Sequence, residues 1–215
     1  MSNEATTRTP SRWNGLSTEE RQRERRTLLI EAAFELLSTD GMAGTTVRAV
    51  CARARLNPRY FYESFTDLDE LLVAVYDDTY RQLQRRSATA VAAAEDDAAA
   101  MRASVAATVH YIGEDPRRGR ILYSEALGNE ALNLRRVRTG AALVELVVQD
   151  NSRRAVAKDE HIGRLGAAVL VGGFSELLVA WISGRIELTA EQLIDDVTEV
   201  FLAVWDATRR LHADQ

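Results

Sequence analysis

Residues 45–65, TTVRAVCARARLNPRYFYESF, leave the chain little choice of local structure. Thr46 is a capping residue type ahead of Val47, Val50, Cys51 and Ala54, an apolar set at helical spacing. Only Arg55-Leu56 separates this pattern from Asn57-Pro58, a second cap followed by proline at the first helical position, where its missing N–H costs nothing. A turn that short makes the two helices cross. Phe61 and Phe65, four apart, pack inward and leave Arg59, Tyr60 and Ser64 turned out. Between Gly41 and Tyr62 stand four arginines (Arg48, Arg53, Arg55, Arg59) and no acid. A compact helix pair with a cationic, hydroxyl-rich surface is what a DNA major groove and its flanking phosphates require.

The rest of the chain extends the helical reading. Among 215 residues only three are proline, alanine is abundant, and no run alternates β-branched residues between turns. The expected fold class is all-α, with about nine helices. Ser17-Thr-Glu-Glu20 has the form of a capping box and starts helix 1, whose stripe runs Leu28, Leu29, Ala32, Ala33, Leu36, Leu37 until Asp40-Gly41. Helix 4 spans about 67–94, long enough at ~1.5 Å per residue to join two domains. Helix 5 covers about 96–113, a short helix 6 runs from Asp115-Pro116 to Gly128-Asn129, and helices 7 and 8 cover about 130–158 and 159–183. Thr189-Ala-Glu-Gln opens helix 9. The expected organisation is a flexible basic arm (1–16), a helix-turn-helix domain (17–66) and a helical bundle (67–215).

The net charge of −5 is unevenly divided: residues 1–66 carry ten arginines against eight acids, and the remainder seventeen cations against twenty-four acids. Only the N-terminal part is therefore expected to meet phosphate. The single cysteine, Cys51, sits at an apolar helix position, so a disulfide framework is excluded and the thiol is read as a small core residue. No stretch approaches ~18 uninterrupted apolar residues, and the polar N-terminus has no signal-peptide pattern, so a soluble, cytoplasmic protein with no membrane partner is expected. His110, His161 and His212 lie far apart, with no metal-ligand spacing and no phosphate-cradling glycine loop. Neither catalysis nor a metal nor a cofactor is expected.

Helix 8 is apolar around most of its circumference, with Leu170, Phe174, Leu177 and Trp181 among its larger side chains. One side then faces the bundle and the other a partner. Gly172-Gly173 in mid-helix costs about 1 kcal/mol each against alanine, which close approach of another helix would justify. A two-fold homodimer is expected through Leu170, Gly173, Phe174, Leu177 and Trp181 of helix 8 with Phe201, Val204 and Trp205 of helix 9.

With Thr45, Thr46, Val50, Ala54, Leu56, Pro58, Tyr62, Phe65 and Leu71 in register, residues 45–71 resemble the TetR family of bacterial transcription regulators. The likeness covers residues 17–75, and beyond them it extends to helix lengths and the apolar final pair, LVGGFSELLVAWISG and LIDDVTEVFLAVW. Three positions depart from the pattern. Arg55 replaces the turn glycine, which costs roughly 1–2 kcal/mol if the residue is left-handed. Leu68 replaces a phosphate-binding lysine, and Glu63 would repel phosphate if it faced DNA. The resemblance implies a regulator, a repressor by default, that binds a palindromic double-stranded operator as a homodimer and is released by a small-molecule effector. The alternative is an architectural or partner-binding protein of the same fold without a small ligand.

On this reading Thr46 and Tyr62 hold phosphate oxygens, as does Arg48 with the helix dipole behind it. Arg59 and Tyr60 read base edges, Asn57 and Ser64 add polar contacts, and Arg53 is either a phosphate contact or a solvated cation. Arg8 and Arg12 either enter a minor groove or belong to a disordered tail. The family's ligand cavity is lined by the helices carrying His110, Tyr111, Tyr123 and Glu125. With Tyr76 and Tyr80 these make a polar scatter suited to orienting a ligand, and Met101, Leu122, Phe174 and Trp181 supply its apolar wall.

Overall fold

The computed structural model describes residues 17–153 and 160–210, which are helical nearly throughout. The helix order is α1 (Thr18–Gly44), α2 (Val47–Ala54), α3 (Pro58–Tyr62), α4 (Leu68–Ala92), α5 (Asp97–Glu114), α6 (Pro116–Gly119), α7 (Glu130–Arg153), α8 (Glu160–Ile182) and α9 (Ala190–Arg210). The arm residues Arg8, Arg12 and Trp13, and the expected junction of helices 7 and 8 at 154–159, lie outside the described residues.

Local chemistry accounts for the boundaries. Ser17 accepts the Glu20 N–H while the Glu20 carboxylate accepts the Ser17 N–H, a reciprocal capping box. These two bonds hold the Glu20 carboxyl below its ordinary pKa. Asp67 and Asp96 cap α4 and α5 through their side chains, and Thr189 and Gln192 form a second reciprocal box at α9. The expected stop of α1 at Asp40-Gly41 is a sharp break: Gly41 has φ 66° and ψ −168°, a conformation essentially confined to glycine, and one further turn follows it. The single short helix expected over 115–128 is instead three stretches. The α-turn of α6 runs into a π-turn, Arg120–Ser124, and then a 3-10 turn, Glu125–Leu127.

Two apolar clusters fill the interior. The first joins Leu29 and Leu37 of α1, Val50, Phe61 and Phe65 to Leu71, Leu72 and Val75 of α4, and continues to Tyr111, Ile121 and Leu122. Cys51 lies within it, and burial raises its thiol pKa, so it stays a protonated packing group. The second cluster is built from Val105, Val109 and Ile112 of α5, Leu178 of α8 and Leu193, Ile194 and Val197 of α9. Tyr123 packs against both. The helix-turn-helix is therefore not set on a hinge of polar linker: its core runs into the bundle through the first turns of α4.

Arg55, in the turn between α2 and α3, is left-handed. It is the one described non-glycine residue with positive φ, at φ 55° and ψ 41°. Left-handed backbone costs an ordinary residue ~1–2 kcal/mol, part of which glycine would give back as unfolded-state entropy. Arg55→Gly is expected to raise stability by about 0.5–1 kcal/mol in urea denaturation; an unchanged or lower midpoint would show that the arginine side chain offsets the strain.

Candidate nucleic-acid interface and ligand clefts

α2 and α3 are held as a rigid pair by caps whose chemistry also leaves donors exposed. The Thr46 hydroxyl accepts the Ala49 N–H at 3.1 Å, which leaves its own hydrogen free for an acceptor outside. Asn57 Oδ1 accepts the Arg59 N–H at 2.9 Å, leaving its amide NH2 at the surface. Arg48, Arg55 and Arg59 are exposed, and so is Tyr62, 63% accessible despite its size. Its ring edge stacks on buried Phe61 at 5.2 Å, so the body is fixed and the hydroxyl points away from the core. Arg48 and Arg55 form no ion pair among the described residues.

The other candidates are placed differently from the sequence expectation. Arg53 is tied to Glu35 of α1 at 2.7 Å, a half-exposed pair, because α1 runs directly behind α2. Tyr60 is half-buried beneath the Arg25 guanidinium, 3.8 Å above its ring. Ser64 does not face outward: its Oγ is buried and has no hydrogen-bond partner. The chain tightens after Tyr62, with Ser64 and Phe65 both bonding back to the Phe61 carbonyl, and this turns Ser64 inward.

Glu63 is not a bare charge on this face. Its carboxylate accepts Arg25 at 3.3 Å and Arg59 at 3.0 Å, and its carbonyl accepts Gln22 at 3.2 Å. The acid thus pins α3 to α1 and directs Arg59. Sequence reasoning missed Arg25 and Gln22, because the approach of α1 to the end of α3 is a tertiary fact.

α4 carries this head into the bundle and is flanked by two half-open clefts. One, about 330 Å³, lies where α1, α4, α5 and α6 meet, with Phe34, Glu35, Asp78, Tyr111, Arg117 and Arg118 in its wall. The other, about 260 Å³, lies between α4 and α7. Of the ten expected ligand residues, Tyr111 lines the first and Tyr80 the second. Tyr111 is buried, donates to the Thr79 carbonyl at 3.0 Å, and its phenol pKa is raised by burial. Tyr76 is buried beside Tyr80, its ring 6.3 Å away and nearly parallel. Leu122 is buried core, and Met101 is half-buried on α5 without lining either cleft.

His110 is exposed and meets Glu191 of α9 at 3.1 Å, outside both clefts. Glu125 is paired with Arg120 at 3.1 Å, and Arg120 also donates to the Ser38 carbonyl of α1 at 2.7 Å. Phe174 packs edge-on against Phe201 at 5.6 Å, and the Trp181 indole donates to the Leu188 carbonyl at 2.9 Å, so both serve the α5/α8/α9 core.

The expected dimer residues divide the same way. Leu170, Phe174, Leu177, Trp181, Phe201, Val204 and Trp205 are half-buried within the chain itself. The free face of α8 is the neighbouring stripe Leu165, Ala168, Val169, Gly172 and Gly173, all exposed at i, i+3, i+4, i+7, i+8 spacing. A Cβ added at Gly172 or Gly173 would meet nothing within 4 Å. The residues 161–182 have the length and hydropathy of a membrane span by composition alone, and 22% of that apolar window is buried within the chain, so most of it is left for another surface to cover. Arg164 and Glu176 break it with charge.

Residues 29–75 match the family model of bacterial regulatory proteins, tetR family. The whole chain is similar to a solved structure described as a transcriptional regulator from Pseudomonas aeruginosa PAO1, at TM-score 0.70 and 20% identity, covering 94% of this chain and 98% of that one. A TetR-like transcriptional regulator from Rhodococcus sp. RHA1 superimposes at TM-score 0.61 with 18% identity over 88% and 96% of the two chains. The multidrug binding protein EbrR, solved with imidazole, does so at 0.63 with 20% identity over 81% and 93%. At these identities the structures establish the fold, while the sequence match falls on the capped helix pair and its supports. Residues 29–75 thus carry the N-terminal helix-turn-helix module of bacterial regulatory proteins of the tetR family, on a chain whose fold is that of the solved regulators it resembles.

Proposed function

We propose that the protein is a homodimeric repressor that binds a palindromic operator through α2 and α3 and is released by a small molecule bound in its bundle. The head would comprise residues 17–66 and the dimerising, ligand-binding part residues 67–215. The observation that carries the DNA-contacting assignment is the α2–turn–α3 surface, where Thr46, Arg48, Arg55, Asn57, Arg59 and Tyr62 present donors on one rigid unit and the adjoining acid, Glu63, is held by Arg25 and Arg59. Arg48, Thr46 and Tyr62 hold phosphates, Arg59 reads base edges once phosphate or a base draws it from Glu63, and Tyr60 works through the Arg25 stack.

Release is supported by the way α4 is embedded. Both clefts share its side chains, and the Arg120 contact ties the π-turn to the end of α1. A ligand that favours one setting of α4 changes the separation of the two heads in a dimer, and so the fit to two operator half-sites. The clefts, each a few hundred cubic ångströms, favour this sensor reading over the purely architectural one. EbrR is described as a multidrug binding protein, which fits the same reading.

Arg48→Ala is expected to weaken binding to all duplexes about equally and to flatten the salt dependence by roughly one phosphate contact, whereas Arg59→Ala relaxes sequence preference. Fluorescence anisotropy with duplexes selected from a random pool, at several salt concentrations, checks both. Unchanged binding by both variants would remove α2 and α3 from the reading surface.

A further inference from the structure

Among the four arginines of the helix pair, Arg55 holds a backbone conformation that arginine does not favour. α2 ends in two bonds that fix the turn: the Leu56 N–H donates to the Cys51 carbonyl at 2.9 Å, and the Arg55 N–H donates to the Ala52 carbonyl at 3.2 Å. This pattern closes a helix with its last turn residue left-handed, a place usually filled by glycine. Leu56 packs onto the core cluster that contains Cys51, so the turn cannot relax without losing that contact. Arg55 is therefore held at φ 55° by the fold, and what it offers in place of the less strained glycine is its side chain.

That side chain is exposed and makes no hydrogen bond, ion pair or ring contact among the described residues. Arg53, by contrast, is tied to Glu35, and Arg59 to Glu63. A strained residue with no internal contact to offset the strain points to a contact outside the chain. Arg48, the other arginine of the pair without an ion pair, stands in the first turn of α2, about 10 Å away along the axis at ~1.5 Å per residue. The first helix of a helix-turn-helix crosses the DNA backbone, so cations at its two ends meet phosphates rather than base edges.

We propose that Arg55 is a phosphate-binding residue that acts with Arg48, the two clamping the DNA backbone from opposite ends of α2. The role rests on the DNA-contacting reading of α2 and α3. In the competing account Arg55 only serves the negative end of the α2 dipole. That account predicts a loss of stability when the arginine is replaced by glycine; the phosphate role predicts a gain.

The test pairs urea denaturation of the full chain with fluorescence anisotropy on a selected duplex and a scrambled one at several salt concentrations. Arg55→Gly is expected to raise the urea midpoint yet weaken both duplexes by the same factor, at least about threefold. The slope of log affinity against log salt should fall by about 0.9 for each head bound. Arg55→Lys keeps a point charge for phosphate and should stay within about twofold of wild type on both duplexes. Arg55→Asn, a residue type that tolerates the left-handed region, should weaken both as glycine does. An unchanged or lower midpoint in Arg55→Gly would assign the arginine to the fold, and undiminished affinity would remove it from DNA. A loss confined to the selected duplex, or a matching loss in Arg55→Lys, would make it a base reader. Each of these results overturns the proposal. Wild-type protein that binds neither duplex overturns the DNA-contacting reading itself, whereas full binding by Arg55→Gly beside weakened Arg48→Ala overturns only the role of Arg55.

Discussion

Val169→Glu is expected to convert a dimer into monomers in sedimentation velocity and to lower operator affinity by more than a hundredfold, while leaving helical content and thermal midpoint nearly unchanged. Val169 is 61% exposed within the chain, so a carboxylate there meets water in the monomer and costs folding little. In a two-fold interface through α8 the same residue lies near its own symmetry mate or the facing glycines, and two buried carboxylates cost several kcal/mol. Affinity falls because one head reads only a few base pairs, and the second half-site is gained only through the dimer. Val200→Glu on α9, 57% exposed, should act in the same direction. The half-buried Trp181 and Phe201 would be poorer probes, since Trp181 bonds to Leu188 and Phe201 packs on Phe174 inside one chain. A Val169→Glu protein that remains dimeric would move the interface off this face.

Phe61→Ala should be the most damaging single change in the head, costing about 3–5 kcal/mol. Phe61 is fully buried, stacks edge-on with Tyr62 and lies 5.8 Å from Phe65. It stands where α1, α3 and α4 meet, and α3 is a five-residue helix with no independent stability. Its removal therefore loosens the recognition helix as well as the core. Against a typical total of ~5–15 kcal/mol, chemical denaturation will report the loss directly. Tyr62→Phe keeps the ring and removes only the hydroxyl, so it should retain stability and lose DNA affinity. Equal stability in Phe61→Ala and wild type would contradict this packing.

Residues whose role follows from near neighbours in the chain are legible in the sequence. Ser17 with Glu20, Thr46 with Ala49, Asn57 with Arg59, and the left-handed Arg55 are set by interactions within four residues, and the apolar spacing of Phe61 and Phe65 fixes which side of α3 turns inward. The helical pattern departs furthest from expectation around 115–128, where a π-turn carries Arg120 onto the Ser38 carbonyl, a contact between residues 82 apart in sequence. Ser64 differs for a related reason: a helical wheel continued past Tyr62 puts it outward, but the helix ends there and the backbone turns it in.

The candidate ligand and dimer residues are the least legible. An apolar helix such as α8 reveals that it has two faces to cover but not which residues lie on each, and the structure shifts the free face to Leu165, Val169 and the glycine pair. His110, Phe174 and Trp181 stand away from the clefts because α9 packs on α5 and α8, which nothing in their local sequence specifies.

By itself, then, the sequence determined an all-helical chain and a capped, acid-free helix pair with an arginine surface, because caps, turns and helical periodicity are short-range. Tertiary structure alone decided that Glu63 binds Arg25 and Arg59, that Arg53 is tied to Glu35, and that the Ser64 hydroxyl is turned into the interior. Ion pairing and burial depend on which helices meet, and that is settled by packing of the whole apolar core.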